Sequence, residues 1–243
     1  MADKRYLTVA EALRRLAARL KPGSRLPSER DLQQRFHVSR ATVRRALGML
    51  ERSGLVTRQR RPGTTVSPPK VVRALAPLYS FEEDLRQQGV KLQTRVLRYE
   101  RAVVPPKFVR RGLRLREGAR VGLLRLLRCV EGRVIAYDCR YLPPAIARRF
   151  DPVILSDRPV TELVSDIVGS PVTSSEVEIE IHTATGEVAD RLGITPGTLT
   201  VTVTATHCLD DGAPVQLIVM SYRVDRVRFK SSARAIPIEP GAR

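Results

Sequence analysis

The chain has 243 residues, 42% of them hydrophobic, which is enough for one large or two medium domains with buried cores. Its formal net charge of +18 and isoelectric point near 11.0 point to a polyanionic partner. No apolar run approaches the ~20 residues of a membrane span, and the opening MADKRYLTVAEAL lacks a signal-peptide core, so a cytoplasmic protein is expected and a membrane partner is not.

Thr8 with Glu11 has the spacing of a capping box, and Leu13, Leu16 and Leu20 then line one face of a helix that Lys21-Pro22-Gly23 ends. Arg14, Arg15 and Arg19 fall on its solvated side. Leu26-Pro27 closes an extended lead-in. Ser28 is a natural N-cap with Asp31 three residues on, and the helix that follows carries Leu32 and Phe36. His37-Val38 makes a joint. Ser39 caps the next helix, predicted to run to about residue 53, where Val43, Ala46, Leu47 and Leu50 recur at i, i+3, i+4 and i+7. That pattern makes one face core and leaves Arg40, Arg44 and Arg45 on the other. A helix with an apolar back and an arginine front can dock on a small domain and enter the DNA major groove, where arginine reads guanine O6 and N7 or clamps phosphate. Gly54 suits the C-terminal end of this helix. Residues 55–58 and 64–66 then read as two short strands around a basic loop, the wing. Residues 1–70 hold 17 basic and 5 acidic side chains, whereas the remainder holds 26 and 20, so the basic excess concentrates on this half.

The phrases LPSERDL, F-x-VSRATVRRAL, L-x-x-x-GLV and GTTV resemble the winged-helix signature of the GntR family of bacterial repressors, in one order over about forty residues. The resemblance implies DNA contacts from Arg30, Ser39, Arg40, Thr42, Arg44 and Gly63; Arg45 joins them on the helical pattern. Arg61 stands where the family wing has the first glycine of G-x-G-T, and its charge is expected to serve instead.

SPPKVVRALAP follows, with Pro68, Pro69 and Pro77 marking a semi-rigid linker in which a short strand can form. The expected organisation is α+β: a winged helix-turn-helix domain over 1–67, a linker over 68–77 and an antiparallel-sheet domain over 78–243. In the second domain, residues 81–88 read as a helix closed by Gly89, and 93–104 as a strand. A short helix reaches Leu113. Residues 120–130 and 133–142 flank Glu131-Gly132 as a hairpin. Residues 160–168 form a helix closed by Gly169. Val177, Ile179 and Ile181 alternate with Glu176, Glu178 and Glu180 as a half-buried strand. After a helix over 187–192, Leu199, Val201, Val203 and Ala205 alternate with threonines, and Asp210-Asp211-Gly212 turns the chain into a strand over 215–224. The tail beyond Phe229 is expected to fray. Cys129, Cys139 and Cys208 lack metal-ligand spacing and read as reduced packing residues, with no metal or cofactor expected.

The order of these pieces, with SFEEDLRQQGV, LLRCVEGRVIAYDCRYLP, LGITPGT and DDGAPVQLIVMSYRVDRVRF, resembles the UTRA sensor domain of the HutC subfamily of GntR regulators. That implies a chorismate-lyase-like fold, a homodimer and a small-molecule effector. Matching positions give Ser80, Glu82, Arg128, Asp138, Gln216 and Tyr222 as effector-binding residues; Gln216 and Tyr222, six apart on a strand, share a face. Relatives that sense sugar phosphates carry Arg-x-Arg where this chain has Leu126 and Arg128, Thr where it has Glu82, and Ser where it has Pro159. Fewer donors and an added carboxylate disfavour a dianion and favour a monoanion or an amine-bearing ligand. The alternative at this site is that Arg128 and Asp138 only neutralise each other as an ion pair.

Three functions compete. The first is a regulator, in the resemblance a repressor, released from a palindromic operator by a polar metabolite. The second is a lyase-like enzyme, against which His37, His182 and His207 are scattered and no catalytic set is visible. The third is a regulator whose second domain only dimerises.

Overall fold

A computed structural model of the chain describes residues 5–58, 63–74, 81–153 and 158–231. Its N-terminal part packs α1 (Arg5–Ala18), α2 (Glu29–Phe36) and α3 (Arg40–Arg52) against the wing, β1 (Val56–Arg58) and β2 (Thr64–Val66). Leu13, Leu32, Val43, Ala46, Leu47 and Leu50 are fully buried together, so the seam read on α3 is its core face. Burial of such side chains supplies roughly 1.5–3 kcal/mol each and fixes the tilt of α3. The capping box forms as spaced: the Asp31 amide donates to Ser28 Oγ at 3.2 Å, and the Ser28 amide donates to Asp31 Oδ2 at 3.1 Å. His37 takes a left-handed conformation (φ 49°) that turns the chain from α2 towards α3. Residues 23–26 run along β2, with the Leu26 amide bonded to the Thr64 carbonyl at 2.9 Å, and so brace the wing.

Thr8 does not cap α1. The helix already includes Arg5, because its buried seam is Val9, Ala10, Leu13 and Ala17, which needs the turn before Thr8. Leu16 and Leu20 lie at the margin of that core.

The second part is built on a six-stranded antiparallel sheet in the order β4 (Leu92–Val103), β5 (Val121–Val130), β6 (Arg133–Leu142), β9 (Pro214–Arg223), β8 (Leu199–Cys208), β7 (Ser174–Thr183). Glu131 and Gly132 both have positive φ, 51° and 72°, and make the tight β5–β6 hairpin. The central strands β5, β6 and β9 are covered on both faces. On one face, Leu124 and Leu126 pack with Phe150 of the segment after α6 (Pro144–Ala147) and with Val160 and Val164 of α7 (Val160–Val168). On the other, Leu127, Cys129 and Tyr137 pack with Leu192 of α8 (Gly186–Leu192). α4 (Phe81–Gln87) and α5 (Lys107–Gly112) complete the helices expected from the sequence.

All six strands of this sheet are antiparallel, as expected; apart from it, β3 (Val71–Ala74), the short strand expected inside the proline-rich stretch, pairs in parallel with β10 (Val227–Lys230) as a separate two-stranded sheet. The tail was expected to fray beyond Phe229, but Lys230 of β10 still pairs with Ala74; residues 232–243 lie outside the described residues. A further expectation is corrected here: the β7 strand is not half-buried. Val177, Ile179 and Ile181 are 38%, 44% and 69% exposed, because the strand is the sheet edge and the packing over β8 stops short of it.

The two parts meet where the turn at 224–226 abuts the end of α3. Gly54 has φ 76°, and a Cβ there would lie 2.1 Å from the Asp225 carbonyl oxygen. Arg226 donates to Thr57 Oγ1 at 3.3 Å, and Lys70 Nζ to the Val224 carbonyl at 2.6 Å. Asp225 accepts from Arg223 Nε at 3.0 Å and Nη2 at 2.8 Å, and its carboxyl stays below the ordinary range: burial pushes it up, and Arg223 and Arg226 more than reverse that.

Candidate DNA-binding surface and sensor cluster

Ser39 caps α3 by accepting from the Thr42 amide at 3.2 Å, and its hydroxyl lies 2.9 Å from that of Thr42. Thr42 is thereby turned inward and buried, so this expected DNA contact holds the helix start rather than presenting a free hydroxyl. Arg30, Ser39, Arg40, Arg44 and Arg45 are exposed. Arg44 faces a groove of about 780 Å³ that also receives Arg25, Arg58, Gly63 and Thr64. Arg45 points elsewhere: its guanidinium stacks 3.8 Å from the Tyr6 ring of α1, so it ties α3 to α1. Gly63 has φ 100° and open space around its Cα. Arg61 lies outside the described residues. The sequence reading passed over Glu29, whose carboxylate accepts from Arg40 Nε at 3.3 Å and from Arg58 Nη2 at 2.6 Å. No local pattern flags it, because Arg58 is 29 residues away.

In the second domain, Arg128 is fully buried. It donates to Asp138 Oδ2 through Nε at 3.0 Å and Nη2 at 2.8 Å, and through Nη1 to Glu82 and, at 2.6 Å, to Thr94 Oγ1. Burial alone would weaken its hold on the proton, but the Glu82 and Asp138 carboxylates outweigh burial and raise its pKa above the usual value. Glu82 moves the other way: burial pushes its carboxyl up, and Arg128 and Arg140 pull it below its ordinary value.

Arg140 was missed in the sequence. It stands two residues after Asp138 on β6, so both point to one face, and its Nε donates to Asp138 Oδ2 at 3.1 Å. Arg140 thus brings a second guanidinium to this cluster from the next strand, while Leu126 joins the apolar core under α7. Arg140 Nη1 reaches Gln216 Oε1 at 3.4 Å. Gln216 donates to Thr161 Oγ1 at 3.0 Å and to His207 Nδ1 at 2.9 Å. His207 is held neutral, its pKa pushed down to about 4 by burial and by Arg140.

Tyr222 lies at the other end of the cluster, edge-on to Phe81 at 6.0 Å, and Arg128 sits 5.9 Å from that same ring. Glu82, Arg128, Asp138, Gln216 and Tyr222 are therefore brought into one connected group; Ser80 lies outside the described residues. Thr94 could not be found without the β4–β5 register, which sets it directly opposite Arg128. Two guanidiniums face two carboxylates, so the cluster carries no net charge.

Among the described residues no group of His, Cys, Asp and Glu could hold a metal, no helix is long and apolar enough to cross a membrane, and all three cysteines are free.

Residues 5–66 match the gntR family of bacterial regulatory proteins, and residues 87–228 match the UTRA domain. The HTH-type transcriptional regulator Rv0792c of Mycobacterium tuberculosis is 31% identical over 233 residues, 91% of this chain and 82% of that one. The HTH-type transcriptional repressor NagR of Bacillus subtilis is 28% identical and covers 86% of each chain. The crystal structure of PhnF from Mycobacterium smegmatis superposes with a TM-score of 0.63 over 94% of this chain and all of that one; at 23% identity it bears on the fold alone.

Proposed function

The chain belongs to the GntR family of bacterial regulatory proteins and carries the UTRA domain, and from that premise we propose that it is a homodimeric transcriptional repressor of the HutC subfamily that leaves a two-fold related operator when a small polar metabolite binds its second domain. The observation that carries the reading is the exposed Arg40 and Arg44 on the outer face of α3, whose other face is locked in the core beside a braced wing. That arrangement suits a helix laid in the major groove, with Arg30 and the wing tip, Arg61 and Gly63, on the flanking backbone. A dimer sets two such helices about one helical turn apart. The uncovered apolar face of β7 supports dimerisation through the second domain. Such a regulator works in the cytoplasm, on the nucleoid, and performs no catalysis.

The polar cluster supports an effector that brings both acceptors and donors. With Glu82 and Asp138 already balancing Arg128 and Arg140, a dianion would meet no surplus positive charge, whereas a monoanion or zwitterion can exchange partners within the cluster. Effector binding there would act on the operator with a coupling of about 1–3 kcal/mol. One observation favours a second reading, a domain that dimerises without a ligand: Arg128 is already engaged by two carboxylates and Thr94.

The test is recovery of preferred duplexes from a randomised pool by the full chain, followed by addition of metabolite fractions. Preferred two-fold sequences, released by a fraction that also raises the melting temperature, are expected. Recovery without enrichment would dispose of the operator reading. Enrichment with no release and no melting shift would favour the ligand-free reading.

A further inference from the structure

We propose that Glu29 is a positioning residue that sets how sharply this chain discriminates between DNA sequences, an inference that rests on residues 23–66 being the DNA-binding surface. Glu29 opens α2, and its carboxylate spans three elements of that surface: Oε2 receives Arg40 Nε from the start of α3, and Oε1 receives Arg58 Nη2 from β1 of the wing. The Glu29 and Arg58 side chains are 24% and 28% exposed, so this pair is half-sheltered, while Arg40 at 71% remains open beyond its Nε. The neighbouring Asp31 has no such reach, because Ser28 occupies it in the capping box.

A carboxylate here works against affinity. The surface meets a phosphate backbone, and every DNA sequence repels a fixed anion to the same extent. What Glu29 supplies is geometry. Arginine side chains are rich in rotamers, and one carboxylate restrains two of them before DNA arrives. Arg58 is held at the groove that Arg44 faces, and Arg40 is fixed at Nε with its terminal nitrogens left for a phosphate or a base edge. A restrained pair fits only duplexes whose backbone and base edges fall in the right place, whereas a released pair would follow any phosphate. Glu29 therefore lowers affinity for all sequences and lowers it least for the matching one.

The test uses the full chain, a duplex recovered by the wild type from a randomised pool, and its scrambled counterpart, titrated from about 50 to 200 mM salt. Glu29→Gln is expected to bind the scrambled duplex several-fold more tightly, to steepen the slope of log K against log salt by about one, and to cut the ratio of recovered to scrambled affinity about tenfold. Glu29→Asp keeps the charge but not the reach; scrambled affinity should stay at the wild-type value while part of the discrimination is lost. A purely structural role would weaken both duplexes equally, and that result, or a ratio within about twofold of wild type in both variants, would overturn the proposal. Should Glu29→Gln fail to fold, Glu29→Asp decides alone, and wild-type discrimination in it would be fatal. If the wild type itself recovers no preferred duplex, the DNA-binding reading falls and takes this inference with it, a result distinct from discrimination that persists without Glu29.

Discussion

Arg128 on β5 and Asp138 on β6 meet diagonally across the hairpin, with Nε and Nη2 of the guanidinium 3.0 and 2.8 Å from one carboxylate oxygen and both side chains wholly buried. Arg140 shares that carboxylate at 3.1 Å, so Asp138 neutralises two buried cations and is the keystone of the cluster. Asp138→Asn leaves both guanidiniums short of charge and should cost about 3–5 kcal/mol. Arg128→Met should cost less, about 1–3 kcal/mol, because Asp138 keeps Arg140 and Glu82 has partial access to solvent. Urea denaturation of the three proteins checks the order; an Asp138→Asn protein as stable as wild type would mean that the cluster is not load-carrying in charge.

His207 gives a pH dependence. The unfolded chain binds its proton near the ordinary value of 6.5, and the folded chain only near 4. Between those values unfolding takes up a proton, so stability is fully present above about 6.5 and falls as the pH falls, by up to about 1.4 kcal/mol per pH unit from this group. His207→Gln should lose less stability than wild type between pH 7 and pH 5. Equal losses, measured by denaturant midpoints, would show that the ring is not held neutral by its surroundings.

The edge strand β7 makes assembly testable. Ile179 sits mid-strand on the uncovered face, 44% exposed. A lysine there would place a charge within any interface that uses this face, at a cost of several kcal/mol per buried unpaired ion. Ile179→Lys should halve the molar mass seen by light scattering at micromolar concentration and keep the monomer fold by circular dichroism. An unchanged mass would show that the proposed dimer does not form through this face.

Gly54 admits the turn at 224–226 against the end of α3 by having no side chain. Gly54→Ala combines the left-handed backbone penalty, roughly 1–2 kcal/mol, with a Cβ at 2.1 Å from the Asp225 carbonyl, so the turn at 224–226 must move away. A lower melting temperature and faster proteolysis within 67–74 are expected. Wild-type behaviour in both would show that the contact is dispensable.

What the sequence determined by itself is what depends on near neighbours. Ser28 with Asp31, and Ser39 with its apolar seam, mark the starts of α2 and α3, because a cap and a 3.6-residue period act within a few residues. Glu131-Gly132 marks a hairpin because both residues must adopt positive φ. The family signature lies in the same local patterns. The tertiary structure decided what depends on partners distant along the chain. The apolar alternation of β7 is the same in sequence whether the strand is central or at an edge, and only the strand order left Ile179 and Ile181 uncovered. Arg140 looks like any strand arginine until the fold buries it against Asp138 and brings Gln216 alongside. Glu29 reaches Arg58, and Asp225 reaches Gly54, only because the chain returns on itself, and the strength of a charge or a clash is set by the distance and burial that this return creates.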